Sequence, residues 1–289
     1  RSAIVKWKPD LVHETYYSRR PSAPQSCPAV VTVFDMIHEL FPQAFPVTDN
    51  TAVKKRSSID RADHVICISE NTKMDLMRLY GISASKVSVA HLGFDRLELR
   101  GESERPVAPG AKPFLLYVGE RSRTYNNFIG FLRAVATSTR LLADFDIVAF
   151  GEPRFSSGEL KVMSSLGFGE QQVLQKSGSD AVLGGCYSSA SALVYPSLYE
   201  GFGIPPLEAM AHQCPVISSN TSSMPEVIGS AAEYFDPRNI DDMRRAIESV
   251  VYSDSRIRIL RHAGSERLNA FSWKKCTQET LNIYKSLII

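Results

Sequence analysis

The sequence has no pair of cysteines at C-x-x-C spacing, and its five cysteines, Cys27, Cys67, Cys186, Cys214 and Cys276, are odd in number. This argues against a zinc ribbon or a disulfide framework. Cys67 and Cys214 lie in or beside apolar runs, as buried thiols in a reducing compartment do, so a cytoplasmic location is expected. No apolar run approaches the ~20 residues of a membrane-spanning helix. The opening RSAIVKWKPD lacks the apolar core of a signal peptide. Excess charge of one sign is missing as well: 33 basic and 31 acidic residues leave a net charge of +2. That balance gives no case for a nucleic-acid partner, although it leaves room for a local basic patch facing phosphates or an acidic lipid surface. There is no G-x-G-x-x-G opening a βαβ unit and no Walker A pattern, which argues against a dinucleotide oxidoreductase and an NTPase. Internal repeats and low-complexity tracts are also absent.

What is present suffices for two hydrophobic cores. The chain has 289 residues, 44% hydrophobic and 22% charged, a length that favours two domains. Six short apolar runs read as strands covered on both faces: AVVTVF (29–34), HVICIS (64–69), FLLYVG (114–119), FDIVAF (145–150), ALVY (192–195) and PVIS (215–218). LVHETYY, near the start, is also strand-like. Helical patterns alternate with these runs. One begins after Ser69 as N-cap, passes Leu79 and stops at Gly81. Others cover roughly 126–137, 205–212 and 240–252, and WKKCTQETLNIYKSLII closes the chain as an amphipathic helix. Strands alternating with helices imply parallel sheets built from βαβ units. The stretch ELRGESERPVAPGAKP (98–113) is charged, contains Gly and Pro, and is the expected linker. The expected division is 1–105, 106–272 and a closing helix over 273–289.

The segment ALVYPSLYEGFGIPPLEAMAHQCPVIS (192–218) carries the most chemistry. A strand runs into Pro196, then a loop with Glu200, Gly201, Phe202 and Gly203, then a helix opened by Pro205 and Pro206, positions where the missing amide has no intrahelical partner anyway. Glycines let backbone approach a ligand closely. Free amides and the positive helix end favour an anion such as a diphosphate. Glu200 and Glu208, separated by seven residues, suit the hydroxyls of a sugar and a ribose. An isolated pair would read as solvated surface charge. The Gly-Phe-Gly turn, the double Pro and the following strand shift the balance toward a nucleotide-sugar site.

This segment resembles the E-x7-E motif of the retaining family-4 glycosyltransferases, which adopt the GT-B fold. The likeness extends to VVTVFDMIHELFP (30–42), VICISENTKMDL (65–76), LLYVGERSRTYNNF (115–128), SSMPEVIG (222–229) and the closing FSW (271–273). It implies an α/β fold of two Rossmann-like domains with parallel sheets facing a cleft, and a closing helix that crosses back to the N-terminal domain. Because relatives begin with a further strand-helix portion carrying a Gly-rich loop, it also implies an incomplete N-terminal domain. By the same resemblance, Glu208 hydrogen-bonds the nucleotide ribose and Glu200 contacts the donor sugar, while the amides of Gly201, Phe202 and Gly203 meet sugar and diphosphate. A basic pair neutralises the diphosphate in such enzymes. Arg121 matches its first member. Asn126 stands where relatives carry Lys, and Arg123 is the candidate to replace that charge. Loss of a charge beside developing anionic oxygens costs a few kcal/mol of transition-state stabilisation. Many relatives carry a His where this chain has Phe34. The next polar groups are Asp35, His38 and Glu39, and Asp35 and His38 share one face of a turn. His38 is therefore the candidate near the reacting carbon, against the blander reading that Asp35 caps the turn and His38 packs at a surface. His13 is a weaker candidate for acceptor contact, and the other histidines are assigned structural roles.

The implied activity is transfer of a sugar from a nucleoside-diphosphate sugar to a glycan or lipid-linked acceptor. No metal and no cofactor beyond that donor are expected, and peripheral membrane contact follows by analogy. Asp144-Phe145-Asp146 fits the D-x-D pattern of metal-dependent glycosyltransferases, but it leads straight into IVAF and reads as a turn and strand start. Two rivals are a nucleotide-sugar-binding protein without catalysis, which Phe34 and Asn126 favour, and a sugar epimerase or phosphorylase on the same scaffold.

Overall fold

The computed structural model describes residues 6–24, 26–97 and 112–288. The chain divides into two compact units. One comprises Arg1–Gly93, Glu200–Phe202 and Phe271–Ile289, the other Phe94–Tyr199 and Gly203–Ala270. The expected linker and the boundary at 105/106 fall on or beside residues 98–111, outside those described. Phe94–Leu97 already group with the second unit, so the division precedes the expected boundary.

The first unit is built on a parallel sheet of four strands in the order β1 (Val12–Glu14), β2 (Ala29–Val33), β3 (His64–Cys67), β4 (Val87–Val89). Alternate side chains leave opposite faces of such a sheet. Val31, Val33, Val65 and Cys67 pack with Met36, Ile59 and Leu76 on one side. Val30 and Ile66 pack with Leu11, Ile283, Tyr284 and Leu287 on the other. Both faces are covered, which is why β2 and β3 read as unbroken apolar runs. The helices of this unit are α1 (Ile37–Leu40), α2 (Thr51–Arg61), α3 (Glu70–Tyr80) and the closing helix Trp273–Ile288. Helix α3 has the expected ends: the Ser69 side chain accepts from the Thr72 amide, and Gly81 adopts φ 66° with its amide on Met77 O.

The second unit holds a parallel six-stranded sheet in the order β10-β9-β8-β5-β6-β7. Its strands are β5 (Phe114–Val118), β6 (Asp146–Phe150), β7 (Val173–Lys176), β8 (Ala192–Tyr195), β9 (Val216–Ser219) and β10 (Ala232–Phe235). Between them run α4 (Phe128–Ala136), α5 (Thr139–Asp144), α6 (Ser157–Ser165), α7 (Asp180–Ser189), α8 (Ile204–Ala211), α9 (Met224–Ile228), α10 (Ile240–Val251) and α11 (Asp254–Arg267). Leu115, Tyr117, Ile147, Ala149, Ala192 and Val194 form one core with Phe131, Val135, Met243, Ile247 and Val250. The spacing of the last three on α10 is that of one helical face. Asp144 ends α5 and accepts from Tyr252 Oη (2.9 Å), and Asp146 opens β6. The D-x-D pair thus spans a helix end and a strand start.

The closing helix, α12 (Trp273–Ile288), is tied to the first sheet by polar contacts as well as apolar ones. His13 Nδ1 lies 2.5 Å from Tyr284 Oη, and His13 Nε2 lies 2.7 Å from Thr32 Oγ1. A neutral imidazole meets two hydroxyls with one donor and one acceptor nitrogen. Burial lowers the His13 pKa from its ordinary 6.5. The unfolded chain therefore takes up this proton more readily than the folded one, so the His13 contribution is intact above pH 6.5 and is lost as pH falls below it. The melting temperature is expected to drop on acidification through that range, and by less in His13→Gln. Equal pH slopes for the two proteins would show that His13 does not carry the effect.

Candidate active site

The residues singled out from the sequence follow the carboxyl ends of strands, the end at which open α/β sheets bind ligands. In the first unit, Phe34, Asp35 and His38 follow β2 and Ser69 follows β3. In the second, Arg121, Arg123 and Asn126 follow β5, while Gly203 and Glu208 follow β8.

The turn after β2 is built around a lysine that sequence reading missed. Lys55 on α2 is fully buried. Its ammonium donates to Asp35 O (2.7 Å) and Glu39 Oε2 (2.7 Å), and lies 3.6 Å from Asp35 Oδ1. It also lies 5.4 Å from the centre of the Tyr17 ring. Tyr80 Oη donates to the other Glu39 oxygen at 2.6 Å. A buried ammonium is tolerated only when paired and hydrogen-bonded in this way. Asp35 Oδ1 accepts the Ile37 amide (2.9 Å), so Asp35 does cap the short α1. The His38 ring stacks on Phe45 with centroids 3.9 Å apart, and its Nε2 lies 3.9 Å from Asp49 Oδ1. Burial, then the nearby Lys55 charge, lower its pKa and favour the neutral ring. His38 Nδ1 is buried and has no hydrogen-bond partner.

Glu200, Gly201 and Phe202 group with this first unit. A β-carbon on Gly201 would stand 1.9 Å from Phe34 O and 3.1 Å from Asp35 Cβ, so no other residue fits there. Gly201 O accepts from Ser69 Oγ (2.7 Å) and Thr72 Oγ1 (3.3 Å). The Phe202 ring is buried edge-on to Phe271, with centroids 5.5 Å apart.

In the second unit, Gly203 has φ 100° and precedes α8, whose first turn carries Pro. A β-carbon there would lie 2.5 Å from Met224 Cε. Glu208, one turn into α8, accepts from Tyr187 Oη at 3.0 Å. Burial, then Asp180 and Asp95, raise the Glu208 pKa against the opposing Tyr187 hydrogen bond. The Tyr187 ring is fully buried and stacks on His212 with centroids 5.9 Å apart. Burial and Glu208 push its phenol well above the ordinary value, so it stays a neutral donor.

The loop after β5 departs from the sequence expectation. The Arg121 side chain is not presented outward for a ligand but sits inside the second unit, 1% exposed. Its Nε meets Glu159 Oε1 (3.1 Å), its terminal nitrogens donate to Gly151 O and Pro153 O, and its guanidinium lies 4.7 Å from the Phe155 ring centre. The half-buried Arg123 is the more accessible cation, with Nε 3.2 Å from Glu120 Oε1. Asn126 Nδ2 donates to Glu120 O (2.7 Å). Asn127, at φ 56°, donates to Pro196 O (3.1 Å) and Pro237 O (2.9 Å), tying the end of β5 to the ends of β8 and β10.

Comparison with known proteins bears on these features. Residues 101–267 match the model of the glycosyl transferases group 1 family, and residues 1–96 match that of Glycosyltransferase Family 4. The chain belongs to the group 1 glycosyltransferases. O-antigen chain mannosyltransferase B of Escherichia coli is 29% identical over 272 residues, covering 90% of this chain and 70% of that protein. Among solved structures, sucrose-phosphate synthase from Thermosynechococcus elongatus superposes with a TM-score of 0.79 at 20% identity, covering 99% of this chain and 75% of that one. Anabaena HepE in complex with UDP and glucose gives a TM-score of 0.73 at 18% identity, covering 90% and 72%. This glycosyltransferase therefore has the GT-B architecture of two parallel-sheet α/β domains. No described helix is long and apolar enough to cross a membrane.

Because the Arg121 guanidinium is enclosed by protein acceptors, Arg121→Ala removes the buried cation paired with Glu159 and takes one donor each from Gly151 O and Pro153 O. The expected cost is roughly 3 kcal/mol of stability, read from the urea unfolding midpoint. An Arg121→Ala protein of wild-type stability but weakened donor binding would instead put this guanidinium on the ligand.

Proposed function

We propose that this glycosyltransferase takes a hexosyl group from a nucleoside-diphosphate sugar and delivers it to a glycan or lipid-linked acceptor with retained anomeric configuration. The observation that carries this reading is the Glu200–Glu208 segment. It comprises a glycine loop in which no side chain fits at Gly201, a helix opened by Pro and a half-buried carboxylate steadied by a phenol. In the proposed complex, Glu208 accepts from the ribose hydroxyls and Glu200 from the donor sugar. The amides of Gly201, Phe202 and Gly203 meet sugar and diphosphate. Arg123 supplies positive charge at the diphosphate, and the buried Arg121 acts by holding the loops after β5 and β6. The bond from the anomeric carbon to the diphosphate oxygen breaks, and a bond to the acceptor hydroxyl oxygen forms on the same face. The acceptor proton passes to the departing diphosphate. The protein contributes positioning and stabilisation of the developing negative charge. His38, kept neutral by burial, is assigned beside the reacting carbon, on a turn that Lys55 and Asp35 hold. The mannosyltransferase relative and the UDP-bound neighbour of the same fold support a nucleotide-hexose donor, with mannosyl donors the first to try.

The test is a thermal-shift screen against UDP-, GDP- and ADP-hexoses, followed by product analysis with the accepting glycan. A ligand that binds only the native state raises the melting temperature with concentration. Glu208→Ala is expected to abolish the shift by the matching nucleotide, and Glu200→Ala to lose the extra shift contributed by the sugar. An inverted anomer in the product, or no shift with any donor, overturns the reading. The raised Glu208 pKa adds a pH signature: because only the ionised carboxylate accepts both ribose hydroxyls, donor affinity should begin to fall at a higher pH than an ordinary Glu would give. Phe34 and Asn126, which replace the His and Lys of relatives, support a second reading, a nucleotide-sugar binder with little turnover. Donor binding without transfer or hydrolysis would favour it.

A further inference from the structure

We infer that Ser69 and Thr72 are positioning residues for donor chemistry, acting by fixing the orientation of the Gly201–Phe202 peptide. Ser69 would be needed only as an N-cap if α3 were its whole purpose, and accepting the Thr72 amide at 3.0 Å fulfils that role. Its hydroxyl proton remains, and the nearer of the two acceptors within its reach is Gly201 O, at 2.7 Å against 3.0 Å for Thr72 Oγ1. Thr72 Oγ1 adds a longer contact to the same oxygen at 3.3 Å. Both side chains are fully buried, so no water competes for that carbonyl. On its other side the Gly201 α-carbon is pressed against Phe34 O and Asp35, on the turn that buried Lys55 holds. The peptide is gripped from two directions.

A trans peptide is planar, with its carbonyl and amide pointing oppositely. Turning Gly201 O toward Ser69 therefore turns the Phe202 N–H away from it. The same grip limits the reach of Glu200, whose α-carbon is one peptide upstream. An amide that stabilises developing charge must be aimed before the reaction, because reorientation during the step costs part of the gain. Two hydroxyls at the start of α3 thereby set the direction of a main-chain donor and the position of a carboxylate without touching substrate. The inference rests on the nucleotide-sugar reading above only for what that amide and carboxylate meet. The grip itself is a property of the ligand-free chain.

The experiment uses Ser69→Ala, Thr72→Val and Thr72→Ser in the full chain. Amide hydrogen exchange in the ligand-free protein should be faster at Phe202 and Gly203 in Ser69→Ala and Thr72→Val and unchanged in Thr72→Ser, which keeps the hydroxyl. A cap lost without a grip would speed exchange only in the first turn of α3. With a nucleoside-diphosphate hexose and the glycan acceptor, the first two variants should lose about ten- to a hundredfold in kcat. Donor KM should move much less, and the folded fraction should stay near that of wild type. Thr72→Ser should restore kcat. Wild-type exchange at Phe202 and Gly203 in Ser69→Ala overturns the inference, and so does a loss of activity that merely tracks melting temperature. A wild-type protein inert toward every donor refutes the functional reading instead, and the exchange result then decides the grip alone.

Discussion

A parallel sheet must be covered on both faces, and most of this structure follows from that requirement. Strands joined in parallel need crossover helices, and the helices bring apolar stripes to the sheet. In the second unit, successive βα connections supply the cover. In the first, one face is covered by residues of the β2–β4 crossovers, while Val30 and Ile66 on the other depend on α12, the last helix of the chain. Among the described residues, Leu11 and Ala90 share the cover of that face with α12. The contact is a thin apolar layer reinforced by His13, Tyr284 and Thr32, so part of the first unit's integrity depends on hydrogen bonds whose geometry suits a neutral histidine.

The same requirement explains what was legible in the sequence. The six strands read from it, β2, β3, β5, β6, β8 and β9, are the interior strands of the two sheets. Each has neighbours on both sides and helices on both faces, so its sequence is a continuous apolar run. The edge strands carry weaker signals. β4 is VSV, β7 is VLQK and β10 is AEYF, and each has side chains that are only partly buried. β1 showed only as a strand-like stretch. Edge position relaxes the demand for apolar residues, and the pattern that identifies a buried strand disappears with it. Helices were legible where caps were explicit, as at Ser69 and Gly81. They were missed where they are polar and rich in charge, as in α2 and α11.

The site was legible in its backbone but not in its polar partners. Gly201 and Gly203 announced a close approach, and the structure supplies the neighbours, Phe34 O and Met224. Glu208 was readable from its spacing, whereas Tyr187, which steadies it, comes from α7 with no local signal. Lys55 lay hidden in a helix of ordinary surface composition, KKRSS, where neither charge nor spacing marks the one lysine that turns inward. Such partners come from distant sequence and become visible only when the chain is folded.

Charge is distributed unevenly among these groups, and that constrains the chemistry. Lys55 and Arg121, either of which could neutralise a phosphate by charge alone, are buried and engaged by protein acceptors. Asn126 brings a neutral amide to the position where the resemblance implies a cation, and it donates to Glu120 O. Arg123 is the more accessible cation of the loop after β5, and it is balanced in part by Glu120. On the proposed reading, stabilisation of the leaving diphosphate then falls mainly to main-chain amides of the glycine loop. Amides bring partial charge rather than full charge, so their benefit depends on fixed direction and on exclusion of water. A site that substitutes oriented dipoles for ions must be rigid where those dipoles originate. The crowding of Gly201 against Phe34 O and the two hydroxyls on its carbonyl supply that rigidity at the one peptide where the substitution would otherwise fail.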